Sequence, residues 1–308
     1  MQEGSRKAVV AALLANAGIA VAKFVGFLIT RSSSMLAESV HSVADSSNQA
    51  LLLLGGARAR KGPTASHQFG YGRERYFWAF VVALVLFGLG SVFSLFEGYE
   101  KLRHEHAVKS PGVAIAILGV AIVLESLSFR LAVREAEHER ADESWWAFIR
   151  RSKTPEIAVV LLEDLGALVG LVLALVGVFL AALTGEPVWD ALGTLAIGAL
   201  LGVIAVILII EMRSLLIGES ATPEQLERIE RAILSGPGVR RLIHMRTQHL
   251  GPDELLVGAK IELDSSLSFA EVAEVVNATE QSVRAEVAAA RIVYLEPAVA
   301  VDTASPAP

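Results

Sequence analysis

The sequence predicts an α-helical membrane protein, with six spanning helices followed by a small α+β domain in the order α-β-β-α-β. Three observations predict it. Hydrophobic residues make up 53% of the 308 positions and charged ones 19%, with a mean hydropathy of +0.52, outside the range of soluble globular chains. Six apolar segments, at about 7–29, 34–57, 76–98, 112–133, 156–182 and 189–216, each approach or exceed the roughly 20 residues that cross a bilayer. Beyond the sixth, the apolar runs give way to helix caps and strand patterns.

The first segment follows Arg6 and Lys7 and is too long for a signal-peptide core, so it reads as an uncleaved span. The second is least apolar in its first half, where His41 and Asp45 stand. Four residues apart on a helix, they share one face with Cβ atoms roughly 6 Å apart. An Asp at the centre of a membrane helix costs about 2.5–3.5 kcal/mol on insertion scales, so ionisable groups there mark functional sites. An imidazole and a carboxylate at this spacing can ligate one divalent cation. The competing reading is a polar face hydrogen-bonded to another helix. Glu38, one turn before His41, reads as a solvated residue at the mouth.

The fourth segment carries Glu125 at mid-span, either as a proton relay, as a partner of Lys23 in the first span, or as a structural hydrogen-bonding group. Lys23, Glu97 and Asp190 lie nearer the outer ends and read as snorkelling or water-facing. Arg134 to Glu143 reads as a solvated helix extension, and Trp145-Trp146 marks the return to the interface. Basic residues set the orientation. Arg58, Arg60, Lys61, Arg73 and Arg75 follow the second span, and Arg130, Arg134, Arg140, Arg150, Arg151 and Lys153 follow the fourth. The alternate connections carry fewer, which places both termini in the cytoplasm, with the plasma membrane as the expected residence. On this frame Asp45 lies roughly 16 Å from the outer end of its span and Asp164 roughly 13 Å from the inner end of the fifth. In a hydrocarbon core of about 30 Å the two carboxylates meet at nearly one level.

After the sixth span, Thr222-Pro-Glu-Gln225 combines a Thr cap, Pro at the first helical position and Gln at the capping-box position. Val239 to Leu250 and Glu254 to Leu263 read as strands joined by the turn Gly251-Pro-Asp. Ser268 with Glu271 opens a second helix, and Arg291 to Glu296 is a last strand. This order suits a two-layer α+β domain. The division expected is 1–217 membrane domain, 218–297 α+β domain and 298–308 disordered tail.

Composition excludes several classes. There is no cysteine, hence no disulfide and no thiolate ligand, leaving imidazole, carboxylate, amide and water oxygen for a metal. A net charge of -6 without a basic patch gives nucleic acid no docking surface. Glu38-Ser-Val-His41 is not the His-Glu-x-x-His arrangement of a metalloprotease, so no enzyme is expected.

Six spans, Ser39-Val-His-Ser-Val-Ala-Asp45 through Asn48-Gln49, the loop His67-Gln-Phe-Gly-Tyr-Gly-Arg73, Leu161-Leu-Glu-Asp164 and the C-terminal α+β (ferredoxin-like) domain resemble the cation diffusion facilitator family. The resemblance runs from about Lys7 to Pro297. It implies a divalent-metal transporter, a proton-coupled homodimer in the lipid bilayer, whose site takes two ligands each from the second and fifth spans. That assigns His41, Asp45 and Asp164. The fourth family position falls on Val160, which cannot bind metal. Glu163, Asn48 or water then completes the sphere; Glu163 points about 100° around the helix from Asp164. In the loop, His67 stands at a second family site whose other His is Tyr71. The resemblance also implies metal binding in the α+β domain, where His244, His249 and Glu296 lie, yet strand alternation sets His244 and His249 on opposite faces. The resemblance thus implies a Zn2+/H+ antiporter exporting metal from the cytoplasm, with Mn2+, Fe2+ or Co2+ as other substrates. The alternative is a membrane-anchored sensor that binds metal without carrying it.

Overall fold

The structure, a computed structural model, describes residues 18–104, 108–140 and 144–299. Its residues form two compact units. One holds the described residues up to Arg58 together with Arg75–Arg213; the other holds Ala59–Glu74 together with the described residues from Ser214 onward.

The first unit is helical throughout. Its helices are α1 (Gly18–Thr30), α2 (Ser33–Ala59), α3 (Glu74–Arg103), α4 (Pro111–Arg140), the short α5 (Trp145–Arg151), α6 (Pro155–Thr184) and α7 (Val188–Ile217). By length and composition α3, the Pro111–Arg134 part of α4, α6 and α7 can each cross a membrane. The described part of α1 is apolar but shorter, since the chain before Gly18 lies outside the described residues. α2 is long enough, but its first half is polar, and Ser33, Ser34, Glu38, Ser39, His41 and Ser42 are all buried. Protein rather than lipid surrounds these groups. Hydrophobic side chains on the opposite sides of the apolar helices are left exposed, among them Val120, Leu131, Leu183 and Val203, as a lipid-facing surface requires.

Two features fix the helix geometry. Pro155 opens α6 where its missing N–H is not needed, and Gly185, at φ 75°, closes it in the left-handed conformation. Within α3, Leu86–Val92 is a π-helical turn, and Ser91 Oγ there donates to the Gly198 carbonyl of α7 at 2.8 Å. The glycine spacing brings the two backbones together: a Cβ on Gly198 would lie 2.8 Å from the backbone nitrogen of Leu95.

The second unit has the predicted order: α8 (Pro223–Leu234), β1 (Val239–Gly251), β2 (Glu254–Leu263), α9 (Phe269–Glu286) and β3 (Ile292–Ala298). Both capping boxes form. Thr222 and Gln225 exchange bonds of 3.1 and 3.3 Å, and Ser268 and Glu271 exchange bonds of 2.7 and 3.4 Å. The Ser268 donors hold the Glu271 carboxyl below its usual range. The sheet order is β1-β2-β3, with β1 antiparallel and β3 parallel to β2. β2 alternates strictly: Leu255, Val257, Ala259, Ile261 and Leu263 are buried, facing Ile229, Ile233, Val275 and Val283 of the two helices. This is a two-layer α+β domain of ferredoxin-like type. The segment 59–74 belongs to the same unit, with Gly72 against the β1–β2 turn: a Cβ on it would lie 2.7 Å from the Leu250 carbonyl oxygen. The tail expected to be disordered lies, from residue 300 on, outside the described residues.

Candidate metal centre

The centre is built from three helices. On α2, the i, i+4 spacing sets His41 Nε2 3.6 Å from Asp45 Oδ2. His41 is buried, with neither ring nitrogen in a hydrogen bond, and Asp45 Oδ1 and Asn48 Oδ1 are likewise buried without one. On α6, Asp164 accepts a bond of 3.1 Å from Ser128 of α4. Glu163 is buried beside it and accepts a bond of 2.5 Å from the Asn48 amide. A polar cavity of about 20 Å³ lies among these helices, lined by Ser42, Asp45 and Gln49 from α2, Glu125 and Ser128 from α4, and Val160, Glu163 and Asp164 from α6, with Ile19 of α1. That is room for about one water molecule.

Asp45 and Asp164 therefore face one space. Glu163 lines it as well: α6 is bonded to α2 through Glu163 and to α4 through Asp164. Asn48 and Glu163, read from sequence as rival fourth groups, are bonded to each other. Val160 lines the wall one turn before Asp164 and offers no donor. His41 is not among the lining residues. Among the described residues no three His, Asp or Glu side chains lie close enough together to share an ion. What is present is a set of carboxylate oxygens and unpartnered buried atoms around one water-sized space.

Three expectations from sequence need correction. Lys23 neither snorkels nor pairs with Glu125: it is 1% exposed, and its ammonium donates to Ser42 Oγ at 2.7 Å and Glu38 Oε2 at 3.2 Å. Glu38 is accordingly not a solvated mouth residue but fully buried. Asp190 does not face water either. It is buried against the start of α2, taking Ser32 Oγ at 2.8 Å, the Ser33 backbone N–H at 2.9 Å, Ser33 Oγ at 3.1 Å and the Ser34 hydroxyl, with Lys101 Nζ at 3.8 Å. A carboxylate from α7 thus caps α2, satisfying N–H groups that the helix itself leaves open. In each case depth along a span was read as access to water, whereas neighbouring polar side chains decide it. Ser128 was missed altogether, although Glu125-x-x-Ser128 is a polar i, i+3 pair in an apolar span.

The remaining candidates lie in the second unit. His67 stacks on Tyr71 with ring centroids 4.5 Å apart, so the residue replacing the second histidine packs on the first. His249 is buried and His244 exposed. Glu296 binds Lys260 at 2.8 Å, and that bond holds its carboxyl below the usual range.

Comparison with known proteins follows the same division. Residues 9–217 match the family model described as the cation efflux transmembrane domain, and residues 221–298 match the cation efflux protein, cytoplasmic domain. The chain is 31% identical over 85% of its length to the mitochondrial proton-coupled zinc antiporter SLC30A9 of Mus musculus, covering 47% of that protein. It is 29% identical over 85% of its length to metal tolerance protein C4 of Arabidopsis thaliana, covering 58% of it. It is 24% identical to the manganese efflux system protein MneP of Bacillus subtilis, covering 86% of each chain. The solved structure MamM-CTD 215-293 is 21% identical, covering 25% of this chain and 96% of that one, with a TM-score of 0.24. The chain spans about half the length of the mammalian relatives it matches. The expectation of a plasma membrane is corrected here. The mouse and human relatives are mitochondrial by name, so a plasma membrane is not supported. Basic loops orient spans relative to the side on which the loops stay, and carry no information on which membrane receives them.

Proposed function

This chain belongs to the cation diffusion facilitator family, and from that premise we propose that it carries a divalent transition-metal ion across a membrane in exchange for protons. The direction we propose is away from the side bearing the Arg58–Arg75 and Arg130–Lys153 loops. The observation that carries the reading is the cavity onto which Asp45, Glu163 and Asp164 face from two different helices. Carboxylates from separate helices can hold an ion and, when the helices shift, present it to the other side. His41, Asp45 and Asp164 are the proposed ligands. Asn48 and Glu163 are the proposed source of a fourth: parting their bond frees a carboxylate oxygen and leaves an amide oxygen beside it. Zn2+ is the proposed substrate, since one imidazole among oxygen donors suits it, and two of the named relatives are zinc antiporters. Mn2+ is the second candidate, with a manganese efflux relative.

Exchange follows from shared ligands. Metal takes a neutral imidazole and ionised carboxylates, so a cation entering the centre expels protons held there. Residues 1–217 are the proposed carrier and 218–297 the proposed dimerising domain. The test is metal flux into proteoliposomes under a set pH gradient, with Zn2+, Mn2+, Fe2+ and Co2+ in turn. Zn2+ uptake coupled to proton movement and lost in Asp45→Asn and Asp164→Asn is the expected result. Binding without flux would instead identify a membrane-anchored sensor, and flux retained in Asp164→Asn would remove the proposed centre.

A further inference from the structure

We propose that the Lys23 ammonium is the resident counter-charge of this centre: it weakens the hold on a divalent cation so that the ion is released, and Glu38 sets how much of that charge the centre feels. The inference rests on the proposed function. Lys23 lies on α1, outside the family positions that line the cavity, and is 1% exposed. Its ammonium is bonded to Ser42 Oγ at 2.7 Å, and Ser42 is part of the cavity wall with Asp45 and Asp164. A fixed positive charge therefore stands one hydrogen bond from the space where the metal would sit.

Stability does not account for the arrangement. Removing two charges from water costs several kcal/mol each, and a well-packed apolar pair in their place is often as stable. Nor is the pair closed on itself. Glu38 commits Oε2 to Lys23 at 3.2 Å, while its Oε1 is buried without a hydrogen bond. That oxygen rests against Gly170 of α6, where a Cβ would lie 2.7 Å from it. Glycine at this position lets the carboxylate lie flat against the helix that also carries Asp164. The polar chain Glu38–Lys23–Ser42 thus runs along α2 to the cavity. Four carboxylates face or flank that cavity, Glu125 included. Without a nearby cation they would hold a doubly charged ion firmly, because charges interact strongly where water is scarce. Carriage needs binding favourable enough to load and weak enough to unload. Lys23 supplies the second half of that requirement.

Opposite signs distinguish this role from a structural one. Zn2+ binding to the detergent-purified full chain is measured by competition with a chromophoric chelator. Lys23→Met removes the repelling charge and is expected to tighten Kd at least tenfold. Glu38→Gln leaves the ammonium uncompensated and is expected to loosen Kd at least tenfold, while Lys23→Arg stays within threefold of the parent. A pair that only holds helices together would lower stability in both variants and move Kd the same way or not at all, and that result overturns the proposal. If one of the two fails to fold, the sign of the other decides. If neither folds, Ser42→Ala, which detaches the ammonium from the cavity wall, is expected to tighten Kd about threefold, and no change overturns the proposal. Parent Zn2+ binding that survives Asp45→Asn with Asp164→Asn would show that the centre itself lies elsewhere. Binding that requires both carboxylates but ignores the charge at position 23 would remove only the role of Lys23.

Discussion

Replacing Asp190 with asparagine tests whether one buried carboxylate holds the start of α2. In the parent, the carboxylate accepts from Ser32, Ser33 and Ser34 and stands 3.8 Å from Lys101 Nζ. Asparagine keeps the shape, loses the charge and turns an NH2 group toward donors. Losing a helix cap costs about 1 kcal/mol. Breaking a buried ion pair costs about 3–5 kcal/mol when one charge is left behind. Here the pair is long, and Lys101 keeps a 3.1 Å bond to the Arg31 carbonyl, so about 2 kcal/mol is the share to expect from that bracket. The sum, about 3 kcal/mol, corresponds to a fall in Tm of roughly 6–12 °C at about 2–4 °C per kcal/mol for a unit of this size. The assay is thermal unfolding of the full chain in detergent, with Zn2+ binding measured in parallel. Binding should be unchanged, because Asp190 does not line the cavity. Adding Lys101→Met should recover roughly half of the loss by removing the stranded ammonium. A Tm shift under about 2 °C, or a double variant no more stable than the single, would refute the reasoning.

Val160→Asp places a carboxylate on the cavity wall one turn before Asp164; equilibrium binding should tighten for Zn2+ by about tenfold while flux slows, and an unchanged Kd would mean that this wall does not face the ion. Gly198→Ala sets a methyl 2.8 Å from the Leu95 backbone nitrogen, which cannot give way, so unfolding should show a loss of about 1–3 kcal/mol. Gly56→Ala, with open space around it, is the control and should gain up to about 1 kcal/mol of helix preference. In the α+β domain, the Arg240 bond, with help from Ser266, holds the Asp264 carboxyl well below its ordinary 3.8. A depressed carboxyl contributes stability that is present above that ordinary value and lost as pH falls through the depressed one. Asp264→Asn should therefore be less stable than the parent at neutral pH, with the gap closing below about pH 4 in unfolding measured across a pH series.

The fold was legible wherever a local rule decides it. Thr222 with Gln225, Ser268 with Glu271 and the strict alternation of β2 each carry their own structure, because cap and pleat need no distant partner. The level shared by Asp45 and Asp164 could be counted out at 1.5 Å per residue, and the two do face one cavity. Side-chain pairing between helices was not legible. Lys23 binds Glu38 rather than Glu125, and Asp190 reaches three serines more than 150 positions away in the chain. Such choices depend on helix rotation and neighbour order, which periodicity leaves open. The acceptor that caps the start of α2 comes from α7, which no local pattern around Ser32-Ser33-Ser34 announces. Nor does the sequence say that Asn48 and Glu163 bond to each other, since that depends on the facing of α2 against α6.

The segment 59–74 has a mechanical consequence. It belongs with the α+β domain rather than with the helices on either side of it, and Gly72 sits so close to the β1–β2 turn that no side chain fits between them. The polypeptide therefore passes from one unit to the other three times, after Arg58, before Arg75 and after Arg213. Cutting the chain before Ser214 would leave Ala59–Glu74 without the β1–β2 turn that it packs against. The segment leaves directly from the end of the helix that carries His41 and Asp45 and ends at the start of α3.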